Sequence, residues 1–451
     1  MLPRLNSSAA AEHLAAALRF KTIVVSPEGP VPKAELQGLR DYLAKTFPLV
    51  HRHLAVEQVN ESLLFTWKPA QPSSEGGLLL MAHMDVVPIE PGTETKWTHP
   101  PFAGVIDQDL IYGRGAIDDK ARLVGTLEAV ESLLAAGVTP KRTVYLSFGA
   151  DEEVGGATGA KVIAKTLQER GVKLDIVLDE AGAVTQGVNP NVQKPIASIG
   201  IAEKGYVSFE LTAKGPPGHA AFPAKNTAIA VLSSVIDDLN SNQMRARMTP
   251  LLRNTLKALG PHMPWPQRLA VRAGKLGEWL LLRTMDATPT TAAQIRTTFA
   301  PTILKAGIKD NLVPSMATAV VNFRILPGET VADVEAHVKR AIGNAPVAVK
   351  VLAGAHDPPG VSSSADAGFL AMAEAVRATF GEDVVIAPTL VAGITDSRHF
   401  DAIAKNTYRF TPVRLTARDV ATIHGTDEKI SVNAFADLVR FYQRIITKLA
   451  L

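Results

Sequence analysis

The 451-residue chain contains no cysteine. That removes disulfide frameworks, thiolate metal sites and cysteine nucleophiles together, and any bound metal has to be held by His, Asp and Glu. The same absence fits a reducing compartment. Long apolar runs are also missing: stretches such as Trp279 to Leu282 fall far short of the ~20 residues that a membrane-spanning helix requires. Excess charge of one sign is small, because 47 Lys and Arg stand against 44 Asp and Glu, for a formal net charge of +3 without long like-charge runs. Neither nucleic acid nor another polyanion is therefore an expected partner. Glu12 and His13 interrupt the Ala-rich start of the chain, so it lacks the apolar core of a signal peptide and reads as a first amphipathic helix. A soluble, cytoplasmic protein with no membrane span is the expectation.

What is present is an α/β rhythm. At about 150 residues per domain the length allows one to three domains and a large core. Short β-like runs at residues 77–82, 143–148 and 174–178 alternate with longer helical patterns, as in a mainly parallel sheet flanked by helices and buried on both faces. Between the first two runs, Leu123, Leu127, Val130 and Leu134 recur at helical spacing, with Gly137 as a stop. Metal-capable groups follow each run: His83 and Asp85, then Asp151, Glu152 and Glu153, then Asp179 and Glu180. Ligands in open α/β sheets bind beyond the carboxyl ends of strands, so these three clusters should converge on one crevice.

The pattern changes near residue 204. Residues 206–212 and 317–325 alternate apolar and polar, as in a sheet with one open face. With helical segments at 227–239 and 331–342 and a strand at 347–352, they suggest a βαββαβ, ferredoxin-like α+β domain inserted as a lid. The expected organisation is a discontinuous catalytic domain, about 1–203 and 356–451, around a lid of about 204–355, with a return hinge at 356–360. An apolar insert at about 244–296 is too long for an ordinary connection. It reads either as extra helices packed on the lid or as a hydrophobic wall for an apolar substrate.

Five short motifs carry the chemistry: His83-Met-Asp85, Gly113-Arg-Gly-Ala-Ile-Asp-Asp-Lys120, Asp151-Glu-Glu-Val-Gly-Gly156, Asp179-Glu-Ala-Gly182 and His424-Gly-Thr-Asp-Glu428. Singly each is weak: a strand-end His is commonly structural, Asp118 could cap its helix, and a Glu pair is usually a solvated face. Together and in this order they resemble the zinc-dependent peptidases and deacylases that include carboxypeptidase S, aminoacylase, acetylornithine deacetylase and succinyl-diaminopimelate desuccinylase. Ile201-Ala-Glu-Lys-Gly205, Gly393-Ile-Thr-Asp-Ser-Arg-His-Phe400 and His424 to Ser431 are most similar to the carboxypeptidase S and N-fatty-acyl-amino-acid hydrolase branch.

The resemblance implies two Zn²⁺ ions per subunit, with Co²⁺ or Mn²⁺ as substitutes, bridged by Asp118. His83 and Glu180 would serve one ion, and Glu153 and His424 the other; Asp179 is the alternative to Glu180. Three carboxylates and a hydroxide would balance the charge of two such ions. Asp85 would orient the His83 imidazole, and Glu152 matches the general base. The resemblance also implies that His219 stabilises the oxyanion in a neighbouring subunit, that Asn311 and Arg324 meet substrate, and that Arg398 grips a free carboxylate. The peptide after Asp118 is expected to be cis. A homodimer is expected, and the reaction would be amide hydrolysis next to a free carboxylate, in a dipeptide or an N-acyl amino acid with an apolar group. A biosynthetic deacylase of the desuccinylase or deacetylase type, and a non-catalytic relative, are the alternatives.

Overall fold

The most apolar runs of the sequence lie where hydrophobic burial drives them, at the centre of a ten-stranded mixed sheet. In the computed structural model, which describes residues 2–451, the strand Gly77–His83 is buried at every position. It runs parallel to Val144–Gly149 on one side and to Leu174–Asp179 on the other, and Ala404–Arg409 is parallel to the latter. Antiparallel strands Ala55–Val59 and Ser62–Trp67 close one edge. Three neighbouring carboxyl ends therefore deliver His83, Asp151 and Glu180 to one rim.

The helix Lys120–Ala135 is apolar nearly all round because it is covered on both sides, by the sheet and by the carboxyl-terminal helix Val432–Ala450. Fully burying each of Leu123, Leu127 and Leu133 contributes about 1.5–3 kcal/mol. The two helices meet at Gly125, where a Cβ would lie 2.1 Å from Leu438 Cδ2. A side chain there would force them apart. The helix begins at Lys120, two residues later than its apolar spacing suggests, and Asp118 is left outside it. Among the described residues no helix is long and apolar enough to cross a membrane.

Strand Ile196–Glu203 continues through Lys204 into Gly205–Lys214, the first strand of a second, antiparallel four-stranded sheet. Its order places Met316–Ile325 and Val347–Val351 on either side of Gly205–Lys214, with Thr298–Ala306 at the edge. Helices Ala228–Ser241 and Val331–Ile342 cover the face formed by Val207, Phe209, Leu211, Val321 and Phe323. Residues of Thr298–Ala306 show no alternation of burial, which is why the period-two pattern passes over this strand. The chain leaves this unit beside its entry: Tyr206 pairs with His356, and Gly205 packs on the Pro358 backbone.

The apolar insert forms helices Pro250–Leu259, Trp265–Arg272 and Gly274–Met285. Met244 and Arg247 at its start touch the lid, as expected, but the helices themselves pack elsewhere. Its buried residues Leu252, Leu256, Leu259 and Leu281 pack with Val192, Ile196, Val385 and Ala387 of the large sheet. Thr255 Oγ1 donates to the Pro388 carbonyl at 2.6 Å, fixing the first of these helices along strand Val385–Val391.

Candidate metal centre

Asp118 lies between two imidazoles. Its Oδ1 is 3.0 Å from His83 Nε2 and its Oδ2 is 3.0 Å from His424 Nε2. Glu180 Oε2 approaches His83 Nε2 at 3.7 Å, and Glu153 Oε2 approaches His424 Nε2 at 3.3 Å. Single oxygen or nitrogen atoms of His83, Asp118 and Glu153 lie within 4.8 Å of one another, as do those of His83, Glu152 and Glu180. Asp179 points away: its Oδ2 accepts the Ser397 N–H at 2.8 Å, while Glu180 faces the centre. The peptide between Asp118 and Asp119 is cis. His424 sits at φ 58°, a left-handed conformation that a non-glycine residue adopts at a cost and that aims its ring inward.

A ring of buried groups holds these side chains. His83 Nδ1–H donates to the backbone carbonyl of Asp85 at 3.0 Å, which leaves Nε2 free to face Asp118. The Asp85 carboxylate, expected to orient the imidazole, lies 3.5 Å from Nδ1 and also accepts the N–H groups of Glu152 and Glu153 at 3.2 and 3.1 Å. It aims both glutamates at once. Glu428, given no role from the sequence, accepts N–H bonds from Gly115, Ile117 and Asp118 and is paired with Arg114 at 2.7 Å. This carboxylate braces the loop that presents Asp118 from a position 310 residues away in the chain. An acid four residues after His424, with an Arg in the Asp118 motif, is the only signal the sequence holds for it. Arg122 similarly bonds Asp119 and the Met81 carbonyl beneath the strand end.

So many acids in one place strain each other's ionisation. Burial, and then the charge of Asp118, pushes the Glu180 carboxyl up to about 7. Burial and the charge of Glu180 hold the Glu152 carboxyl well above the usual carboxylate range. Hydrogen bonds to Asp118 and Glu153 raise His424 to about 10, whereas Asp118, opposed by its own burial, is held low by both histidines. Among the described residues the Glu153 Oε1 atom is buried without a hydrogen-bond partner. Hard oxygen and imidazole donors, an unpartnered carboxylate oxygen and mutual acidic repulsion are what a pair of cations would relieve.

The centre opens into a cavity of about 950 Å³. Arg324 and Arg398 line it together with Tyr206 and His356, and Val391, Ile394, Leu415 and Ile423 supply apolar wall. No residue of the insert does. Arg398 donates to the carbonyls of Thr395 and Gly155 at 2.8 and 2.6 Å, which fixes its guanidinium at the wall. Neighbouring His399 is held down at about 4 by burial and by the Arg398 charge. His219 and Asn311 lie elsewhere. They share an exposed two-stranded ribbon, in which the Ala220 N–H donates to the Asn311 carbonyl at 3.1 Å, and neither lines the cavity of its own chain.

Residues 79–448 match the peptidase family M20/M25/M40. The chain is 38% identical over 443 residues to the human N-fatty-acyl-amino acid synthase/hydrolase PM20D1, covering 96% of this chain and 86% of that protein. It is 36% identical over 444 residues to the probable carboxypeptidase S-like 2 of Dictyostelium discoideum, covering 97% and 84%. Among solved structures, the M20 family metallo-carboxypeptidase Sso-CP2 of Sulfolobus solfataricus superposes with a TM-score of 0.70 at 19% identity, over 98% of both chains. Human carnosine dipeptidase 1 does so with a TM-score of 0.65 at 16% identity, over 99% of both. These two share the fold. The chain thus belongs to peptidase family M20/M25/M40 and is a hydrolase of that metallopeptidase class, similar to its carboxypeptidase S-like and N-fatty-acyl-amino-acid hydrolase members.

Proposed function

We propose that this hydrolase cleaves an amide bond next to a free carboxylate, in an N-acyl amino acid or a dipeptide, with an apolar acyl or side-chain group preferred. The observation that carries the reading is Asp118, with one carboxylate oxygen 3.0 Å from each of two imidazoles. His83 and Glu180 would hold one Zn²⁺, Glu153 and His424 a second, and Asp118 both; Co²⁺ or Mn²⁺ suits the same donors. Bound there, such ions lower the pKa of water and polarise the scissile carbonyl. The rest falls to the chain itself. Glu152, aimed by Asp85, takes a proton from the attacking water and passes it to the departing amine. Arg398 and Arg324 hold the free carboxylate, a task that suits a planar guanidinium, and Val391, Ile394, Leu415 and Ile423 receive the apolar group.

A panel of N-acyl amino acids of graded chain length, apolar dipeptides and N-succinyl diamino acids tests this. Amino-acid release is expected to be fastest with long acyl chains or apolar dipeptides. Release from charged diamino acids alone would replace the reading with a biosynthetic deacylase.

His219 is part of the same proposal. Its exposed position suits a group that stabilises the oxyanion in the active site of a second subunit. Mixing Glu152→Gln with His219→Ala subunits, each nearly inactive alone, should then restore about a quarter of parental activity, because half of the random dimers hold one intact site. No recovery after subunit exchange would show that His219 does not serve the active site of a second subunit.

A further inference from the structure

The insert segregates charge that looks evenly spread along the sequence. Residues 244–296 hold nine Lys and Arg against two Asp and Glu, a net +7, which leaves −4 for the rest of a chain whose total is +3. Both acids are already paired, Glu278 with Arg253 and Asp286 with Arg296. Arg268, Arg272, Lys275 and Arg283 are exposed, and none of them has a carboxylate within 4.0 Å among the described residues.

These cations surround an apolar face. The helices Trp265–Arg272 and Gly274–Met285 pack tightly as a hairpin, since a Cβ on Gly277 would lie 1.9 Å from the Ala270 carbonyl oxygen. Ala270, Gly277 and Leu281 take the buried side. The opposite side exposes Trp265 and Leu276, each at 73%, with Leu269, Trp279 and Leu280 each more than half exposed. Arg283 stacks over the Trp279 ring at 5.2 Å. A cleft of about 480 Å³ beside the hairpin is lined by Leu256 and Leu281 and by Lys257, Arg268 and Arg272.

We infer that this hairpin docks the enzyme on an anionic lipid bilayer surface, with Trp265, Leu269, Leu276, Trp279 and Leu280 entering the headgroup region and the four cations meeting acidic headgroups. Tryptophan and leucine ringed by Arg and Lys on an amphipathic hairpin are the composition of an interfacial element. Charge decides against the other occupants. Two copies meeting across a two-fold axis would set each cationic ring against itself. An extended polyanion would meet apolar side chains at the centre of the patch. The hairpin belongs to a body fixed along strand Val385–Val391, whose last residue, Val391, lines the catalytic cavity. Docking is thus joined to the site through one strand, and binding is read without turnover.

Trp67 and Trp97 are buried, so a change in tryptophan emission on binding reports Trp265 and Trp279. The intact protein is mixed with vesicles of phosphatidylcholine alone or of phosphatidylcholine with phosphatidylglycerol, and both emission and co-sedimentation are read. Emission should shift to the blue, and protein should sediment, with the mixed vesicles only. The triple variant Arg268→Ala, Arg272→Ala, Lys275→Ala should partition about a hundredfold more weakly, as three lost charges near an anionic surface predict. Trp265→Ser with Trp279→Ser should abolish sedimentation. All these residues are exposed and distant from the centre, so hydrolysis of a water-soluble substrate by the variants should match the parent and certify their fold. Absence of the shift, binding unaffected by both variants, or self-association that depends on the same residues would each overturn the inference, the last in favour of a second copy.

Discussion

Glu152→Gln is expected to retain the parental metal content and lose about a thousandfold in kcat, since positioned acid–base catalysis contributes ~10²–10⁴. The amide is nearly isosteric, and the Glu152 N–H bond to Asp85 at 3.2 Å belongs to the backbone, so the loop keeps its place. What disappears is a carboxylate able to accept a proton and return it. KM should change little if Arg324 and Arg398 supply the grip on the substrate. His83→Ala serves as the contrast: it removes an imidazole 3.0 Å from Asp118 and should lower the metal content itself, read by elemental analysis after dialysis. If Glu152→Gln turns over as the parent does, the base lies elsewhere. The burial that holds Glu152 well above the ordinary carboxylate range favours its protonated form, and two divalent cations beside it would oppose that shift. Metal loading and an ionised base are therefore expected to appear together.

The largest effect on stability should come from Arg409→Met. Arg409 Nε donates to Glu203 Oε2 at 2.8 Å with both side chains at 0% exposure. Removing the guanidinium leaves Glu203 buried and unpaired, which destabilises by about 3–5 kcal/mol. Glu203 also anchors Thr395, whose Oγ1 is 2.6 Å from Ser397 Oγ, and the Ser397 N–H holds Asp179 next to Glu180. The change should therefore loosen one side of the centre as well. Burial already raises the Glu203 carboxyl against the pull of Arg409, and losing Arg409 raises it further. A group whose folded pKa is raised stabilises below its unfolded pKa and loses that contribution as pH climbs through the folded value. The variant should thus lie nearest the parent in acid and fall behind it as pH rises above the ordinary carboxylate range. Adding Glu203→Gln should recover most of the loss. Denaturation midpoints for the single and double variants at acid and neutral pH check both points; equal losses in the two would show that the charge itself is not what matters.

How far the fold and centre can be read from sequence depends on how local each signal is. Buried strands such as Gly77–His83 are continuous apolar runs, and the metal-capable residues at their ends follow within a few positions. Those motifs are legible because strand and ligand are neighbours in the chain. Glu428 is not, because its partners Arg114 and Ile117 reach it only through the fold. The insert misleads for another reason. Its apolar residues occupy two faces, Leu252 and Leu256 against the large sheet and Trp265 and Leu276 outward, and a count of apolar residues assigns no direction to either. The edge strand Thr298–Ala306 escapes the alternation rule since neither of its faces is buried. Asp85 shows the limit of spacing arguments. Two residues after His83 puts its carboxylate 3.5 Å from the ring, but spacing shows neither the shorter bond made by its carbonyl nor the carboxylate's bonds to the two glutamates.

The symmetry of Asp118 has one last consequence. A carboxylate presents the same atom on both sides, so one residue can serve two equivalent neighbours. Asparagine has its size and outline but not this sameness: where one side still met an oxygen, the other would meet an amino group carrying two hydrogens. Such a replacement would make the pair unequal, with one half intact and its twin turned away.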